Sequence, residues 1–233
     1  MLWSAHRTFL LLVVAALATL GLATPTTTAG AAPSEAPAEA VAAKKRAPKN
    51  LIKNPSAEQT LPSRFTGGQR GLKLWTVRAG KEIAANRYGD GGYPSYRDPG
   101  PGKKGGKFMF VGGDSKSSSA WQDIDLTPYA GLIKKKKARF DLSAYLGGYD
   151  VQKDWAKLTV VWKSPAGAKT GSARLGPVTP KQRKGRTGLL KRSKTGIIPK
   201  GTSQARVTLS ARLYEGTFSD GYADLLKLTV RRK

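Results

Sequence analysis

The chain of 233 residues contains no cysteine and a single histidine, His6. The absence of cysteine excludes disulfides, thiolate nucleophiles and thiolate metal ligands. His6 lies in an N-terminal segment that we predict is removed, so the mature chain would have no histidine either. Ser-His-Asp triads and His- or Cys-ligated zinc sites are thereby excluded. Without disulfides, stability must come from a sizeable hydrophobic core, for which about 180 residues are enough.

Acidic residues are scarce as well. The chain has 41 lysines and arginines against 15 aspartates and glutamates, a formal net charge of +26. Such a basic protein attracts polyanions, and the attraction weakens as salt is added. Outside a cell the candidate partners are anionic wall polymers, acidic polysaccharides, phospholipid headgroups and released nucleic acid, of which nucleic acid is not the favoured one.

Only one long apolar run occurs, at residues 9–23. His6 and Arg7 precede it, and small residues ending in Ala29-Gly-Ala31 follow it. A basic start, an apolar core and an Ala-x-Ala site are typical of a secretory signal peptide. The alternative is an uncleaved membrane anchor, but the run is short for a span. We predict a signal peptide at 1–31 and a secreted protein, extracellular or attached to the cell wall, with no membrane span after cleavage.

Residues 32–49 are rich in alanine and proline and end in a basic cluster, which predicts a disordered linker. The folded domain is predicted at 50–233. Its clearest strand is 204–214, where apolar and polar residues alternate without exception. Because no window has a sustained helical period, the sequence predicts an all-β, two-sheet sandwich. We expect a monomer.

A segment dense in glycine and proline, residues 87–106, predicts a long surface loop. It contains Tyr88, Tyr93 and Tyr96. Two interpretations are equally open for these tyrosines. They contact a ligand, or the loop folds back over the sandwich and the tyrosines pack against it.

Several segments resemble a secreted galactose-binding-like domain, the jelly-roll sandwich shared by many carbohydrate-binding modules. These segments are Asn54-Pro-Ser-Ala-Glu58, residues 121–126, 146–149 and 175–179, and Asp220-Gly-Tyr-Ala-Asp224. The opening residues 50–55 are also similar to the sugar-binding F-box-associated domain. The resemblance covers about 50–231 and implies a jelly-roll fold. Leu225 departs from the pattern, since relatives often have asparagine there.

The resemblance also implies one structural Ca²⁺, which in such jelly rolls joins a glutamate near the first strand to an aspartate near the last. The corresponding residues are Glu58 and Asp224, with Asp220 and backbone carbonyls completing an oxygen shell. The alternative is that these carboxylates pair with some of the many lysines and arginines.

The leading functional hypothesis is a non-catalytic module that binds carbohydrate or a cell-surface glycan. Sugar recognition needs flat aromatic faces and polar groups beside them. The candidate platforms are the aromatic residues near strand ends or turns: Tyr149, Trp155, Tyr214 and Tyr222. Each alone is also compatible with packing. Trp75, Trp121 and Trp162 lie within strand patterns, which predicts that they belong to the core.

Two alternatives remain. The first is a basic adhesion protein that binds a polyanion through the lysine- and arginine-rich segments 134–137, 181–186 and 191–194, although such runs also occur as solvated faces. The second is a hydrolase accessory protein or minor glycosidase. Asp123 and Asp125 share a strand face, but nothing marks either as an acid catalyst, so we expect no enzyme.

Overall fold

The computed structural model describes residues 47–63, 68–78 and 80–233. The predicted signal peptide (1–31) and most of the predicted linker (32–49) lie outside these residues. Within them, twelve strands form two antiparallel sheets. The all-β, two-sheet sandwich expected from the alternating patterns is therefore confirmed, as is the jelly-roll fold that the resemblance implies. No helix of the described residues is long and apolar enough to cross a membrane.

The strands in chain order are β1 (Thr60–Ser63), β2 (Arg70–Leu72), β3 (Thr76–Val77), β4 (Ala84–Arg87), β5 (Phe108–Val111), β6 (Ser117–Asp125), β7 (Ala138–Gly148), β8 (Trp155–Lys163), β9 (Lys169–Leu175), β10 (Gly188–Ile197), β11 (Gln204–Arg212) and β12 (Tyr222–Arg232). Short helical turns occur at Gly102–Gly105 and Thr127–Tyr129, and the second continues into α1 (Ala130–Lys134). One sheet has the order β1-β2-β4-β5-β12-β7-β10 and the other β3-β6-β11-β8-β9.

The core lies between the two sheets and follows from the period of two in each long strand. In β11 the buried residues alternate with half-buried polar ones, as its sequence predicts. The side chains that meet between the sheets include Phe110, Phe140, Leu142, Leu158, Val160, Trp162, Val207, Leu209, Leu226 and Leu228. Trp75 and Trp162 are 7% and 1% exposed, so the core positions predicted for these two tryptophans are confirmed.

A second, smaller core lies on the outer face of the seven-stranded sheet, where residues 88–107 cover part of it. Its buried part is formed by Ala84, Met109, Val111, Leu189 and Tyr222. Tyr93 packs its ring against that of Tyr222 at a centroid distance of 5.8 Å. This tyrosine therefore packs against the sandwich, as one of the two interpretations expects.

Three loops lie together at one end of the sandwich. Gly148 at the end of β7 pairs with Gly188 at the start of β10. Trp155 at the start of β8 pairs with Arg212 at the end of β11. Loops 149–154, 176–187 and 213–221 are therefore neighbours.

Arg183 ties two of these loops together. It is 4% exposed, and its guanidinium donates to the carbonyl oxygens of Asp150 at 2.6 Å, Gln152 at 3.1 Å and Tyr149 at 3.4 Å, and to that of Arg186. The sequence pattern assigned Arg183 to a basic run on the surface. That assignment is wrong for this residue, because four carbonyls hold its charge inside the fold.

Candidate functional site

The outer face of the five-stranded sheet carries the side chains that alternate with the core. Trp121, Thr208 and Thr159 lie side by side, because β6, β11 and β8 pair in this register. Two residues further along each strand, on the same face, Ser119 and Ser210 are likewise paired. The face thus presents rows of hydroxyl groups beside an indole ring.

Three aromatic rings lie along this face. Trp121 and Trp155 are half-buried, and Tyr214, beyond the end of β11, is 58% exposed. The registers place the two tryptophan Cα atoms roughly 17 Å apart. A cationic group lies over each ring, with centroid distances of 5.7, 4.9 and 5.7 Å for Arg206, Lys157 and Arg212 respectively. We call Trp121, Trp155, Tyr214 and the hydroxyl rows between them the aromatic face.

The two carboxylates of this face are held ionised. Arg206 donates to both oxygens of Asp123, at 2.8 and 2.6 Å, and these hydrogen bonds hold the pKa of Asp123 below its usual range. Asp125 accepts from the backbone nitrogen and the hydroxyl of Thr127, which lowers its pKa. A general acid needs a raised pKa, so neither residue is suited to protonate a leaving group.

Beside the aromatic face lies a recess of 310 Å³. We call it the Trp155 recess; its lining is Lys153, Trp155, Pro177, Val178, Thr179, Pro180 and Tyr214. It joins two of the predicted ligand contacts, Trp155 and Tyr214. Its walls are largely apolar, with a lysine and a threonine at the rim, a composition that suits a small ligand or one unit of a longer one.

Asp154 positions the loop that carries Tyr214, and the sequence patterns did not identify it. It is fully buried. One carboxylate oxygen accepts from the backbone nitrogens of Tyr214 at 2.6 Å and Glu215 at 3.2 Å, and the other accepts from that of Asp220 at 2.9 Å. Charge-assisted bonds of this kind are about twice as strong as neutral ones. Asp154 therefore fixes where loop 213–221 leaves β11.

The other two predicted ligand contacts, Tyr149 and Tyr222, line a separate recess of 270 Å³ together with Tyr93, Phe218 and Asp220. Tyr149 is 38% exposed, whereas Tyr222 is buried and donates its hydroxyl hydrogen to Asp220 at 2.6 Å. Burial raises the pKa of Asp220, and nearby Asp154 adds to the rise. We call this the Tyr149 recess.

The predicted cation ligands Glu58 and Asp224 meet under the turn that ends in Gly105 and Gly106. A side chain on Gly105 would clash with the Asp224 carboxylate, and one on Gly106 would clash with that of Glu58. Burial raises the pKa of Asp224 to about 7, and the Glu58 carboxylate contributes in the same direction. Within the described residues neither forms an ion pair, so the alternative that they pair with lysine or arginine is not seen there.

Asp220, the third predicted cation ligand, lies in the Tyr149 recess, with its carboxylate bonded to Tyr222. The part of the chain that the structure describes contains no group of three or more His, Cys, Asp or Glu residues that could hold a metal ion. A cation between Glu58 and Asp224 would therefore take its other ligands from neutral oxygens.

The core position predicted for Trp121 is wrong. Ala120 and Ile124 on either side of it face the core, and so does Gln122. Gln122 is tolerated there because its amide exchanges hydrogen bonds with both backbone groups of Lys53, at 3.0 and 2.7 Å. Trp121 consequently points outward, where it becomes the third ring of the aromatic face.

Solved structures similar to this chain include carbohydrate-binding modules. Family 16 Carbohydrate Binding Module-2 has a TM-score of 0.46 and 17% identity over 77% of this chain and 99% of that one. The CBM22-1 xylan-binding domain from Paenibacillus barcinonensis Xyn10C has a TM-score of 0.40 and 14% identity over 80% of this chain and 96% of that one.

The enzymatically active domain of bacteriophage CBA120 tailspike protein 4 is also similar, with a TM-score of 0.48 and 11% identity over 78% of this chain. This chain spans 21% of that tailspike chain. No protein-family model matches the chain, and no curated protein matches it in sequence. These similarities identify no ligand for it.

Proposed function

We propose that this protein is a secreted, non-catalytic module that binds a carbohydrate chain across the aromatic face. The observation that carries the proposal is the placement of two half-buried indoles, Trp121 and Trp155, and the exposed ring of Tyr214 on one surface with hydroxyl rows between them. Sugar rings stack their C–H surfaces on aromatic faces and bind their hydroxyls to neighbouring polar groups.

The spacing favours an oligosaccharide over a single sugar. The two tryptophans are roughly 17 Å apart by strand geometry, well beyond the width of one sugar ring. The Thr159, Thr208 and Ser210 hydroxyls lie in the interval and can both donate and accept hydrogen bonds. A chain of several sugar units would contact both indoles and the hydroxyls at once.

An array of neutral polysaccharides and glycans, probed with the purified protein at two ionic strengths, tests the proposal. We expect binding that survives high salt and that free oligosaccharide competes away. Trp121→Ala and Trp155→Ala should each weaken it about tenfold, as for a lost stacking contact of about 1–2 kcal/mol.

Tyr149→Ala is the matched control, because Tyr149 is an exposed aromatic residue in the separate recess. It should leave binding unchanged. Loss of binding in Tyr149→Ala but not in the tryptophan variants would transfer the site to the Tyr149 recess and overturn the proposal.

We further propose that Glu58 and Asp224 hold a structural Ca²⁺. Two observations fit a hard cation: the Glu58 carboxylate lies close enough to add to the rise that burial causes in the pKa of Asp224, and the two glycines beside the carboxylates leave no side chain in the way. Carboxylate and carbonyl oxygens are the ligands that Ca²⁺ prefers. The ion would neutralise the buried Asp224 carboxylate together with the exposed Glu58 carboxylate beside it, and would fasten the 102–106 turn to β12.

A further inference from the structure

A groove of 380 Å³ lies on the outer face of the seven-stranded sheet, on the opposite sheet from the aromatic face. Its lining comes from β7, β10, β12, the turn at Gly102–Gly105 and the segment before β1. We call it the lysine groove and define it by Lys104, Ser143, Tyr145, Lys191, Leu225 and Lys227.

Three lysines from separate parts of the chain converge on this groove. Lys191 on β10 is paired across from Tyr145, and Lys227 on β12 is paired across from Ser143, so both flank β7. This register puts their Cα atoms roughly 12 Å apart. Lys104 joins them from the turn above. All three are exposed, and none forms an ion pair within the described residues.

The acidic groups nearby do not neutralise these lysines. Asp141, on the same outward face of β7, is bound by Arg231 at 2.7 Å. Asp224 lies in the same row as Tyr145 and Lys191, but it is fully buried under the turn. Its two carboxylate oxygens accept hydrogen bonds from the Tyr88 hydroxyl and from the backbone nitrogen of Leu225. The groove therefore presents unpaired positive charge to solvent.

The β-bulge in β12 shapes the floor. The pairing of β12 with β7 shifts register between Asp224 and Lys227, and Leu225 there has a φ of 47°. Bulges re-aim side chains and are frequent next to binding sites. Here the bulge brings the apolar side chain of Leu225 to the groove beside Ala144 and Pro55, so the floor is apolar and the rim cationic.

We propose that the lysine groove binds an acidic polysaccharide, a sugar chain that carries an oxyanion on successive units. The apolar floor suits sugar C–H surfaces, the Ser143 and Tyr145 hydroxyls suit sugar hydroxyls, and three lysines suit repeated oxyanions. Single-stranded nucleic acid fits less well, because its successive bases stack on several rings and the lining of the groove includes a single aromatic residue, Tyr145. This site is independent of the aromatic face.

Isothermal titration with four probes tests the proposal: polygalacturonate, dextran sulfate, neutral dextran and single-stranded DNA. We expect salt-sensitive binding of at least one of the two acidic polysaccharides and none of neutral dextran. Which of the two binds tells whether the groove prefers carboxylate or sulfate. Lys191→Gln with Lys227→Gln should weaken binding about tenfold, as for two charge contacts of about 0.7 kcal/mol each.

Lys134→Gln with Lys135→Gln removes the same charge from exposed residues of another surface and should leave the affinity within about twofold. Lys191→Arg with Lys227→Arg should retain binding. Melting curves of all variants verify folding. An equal loss in the control pair would mean diffuse attraction to the whole basic surface, and tighter lysine-dependent binding of DNA would assign the groove to nucleic acid. Either result overturns the proposal, as does binding of no acidic polysaccharide.

Discussion

The hydroxyl of Tyr88 donates a 2.6 Å hydrogen bond to Oδ2 of Asp224, a residue 136 positions further along the chain. The bond fastens the start of the long 88–107 loop to the start of the last strand. Asp224 is buried and Tyr88 is half-buried, and burial raises the pKa of Tyr88 as well as that of Asp224. The carboxylate is therefore held in a place where its ionised form is disfavoured.

The first prediction concerns the pH dependence of stability. The pKa of Asp224 is about 7 in the folded protein and about 3.9 in an unfolded chain. Between these values the folded state binds the proton and the unfolded state does not, so the free energy of unfolding contributed by this group falls as pH rises from about 4 to about 7. Below pH 4 the contribution is fully present.

Denaturant unfolding across pH 4–8 in the presence of a chelator measures this contribution. Because other groups also titrate, the informative quantity is the difference between the wild type and Asp224→Asn, which cannot ionise. We expect that difference to change steadily through the window and to level off above it. A constant difference across the range would contradict a raised pKa for Asp224.

The second prediction is that Ca²⁺ raises the melting temperature near pH 8, where Asp224 is ionised. An ion bound only by the folded state stabilises it by about 2.7 kcal/mol at one hundred times its dissociation constant. Glu58→Gln should abolish the response. Glu215→Gln, a change of the same kind in the 213–221 loop, should retain it. An unchanged midpoint for the wild type with and without chelator would rule out the cation.

The third prediction is that Asp154→Ala destabilises the protein by about 3 kcal/mol, because three backbone donors lose a buried charged acceptor. Amide hydrogen exchange should show the loss concentrated in residues 213–221. Asp125→Asn is the comparison, since that carboxylate also caps a backbone nitrogen but is exposed, and we expect a much smaller effect. Equal losses of unfolding free energy in the two variants would contradict the proposal that Asp154 anchors loop 213–221.

The fourth prediction separates two arginines of one basic segment. Arg183→Ala should cost about 3 kcal/mol, since four carbonyls lose a buried cationic donor. Arg186→Ala removes the same charge from an exposed position and should change the unfolding free energy by less than about 0.5 kcal/mol. Urea unfolding of both variants measures the contrast. Similar values would show that Arg183 belongs to the solvated surface after all.

The strand pattern was sufficient to predict the architecture, because a period of two in β11 and β12 depends only on which face each residue occupies. That Glu58 and Asp224 lie at the same turn was implied by the resemblance and not by the strand pattern, and their role as cation ligands stays a prediction. Asp154 and Arg183 could not be found this way. Apart from the Arg186 carbonyl, their partners are backbone groups 31 to 66 positions away, and a backbone donor or acceptor leaves no signal in residue identity.

Trp121 was misplaced for a different physical reason. It lies within a strand pattern, which predicted a core position, but the residues of that strand that face the core are Ala120, Gln122 and Ile124. Gln122 can face the core because its amide forms two hydrogen bonds with the backbone of Lys53, which satisfy the buried polar group. Trp121, the adjacent residue on the strand, therefore faces outward. Those bonds depend on a contact 69 positions away, which composition does not reveal.

The fifth prediction tests the outward orientation of Trp121 by comparing the stability of two tryptophan variants. Trp162→Ala removes a fully buried ring that packs against Phe140 at a centroid distance of 5.1 Å and should cost about 3–5 kcal/mol. Trp121→Ala removes a half-exposed ring from the outer face and should cost about 1 kcal/mol.

Guanidinium unfolding of both variants, with tryptophan fluorescence of the wild type as a reference, provides the measurement. Trp121 should also be quenched by iodide while Trp162 is protected, because only the outward ring is accessible to the ion. If Trp121→Ala proved as damaging as Trp162→Ala, the ring would have to lie in the core. The aromatic face would then lose the indole that makes it long enough for several sugar units.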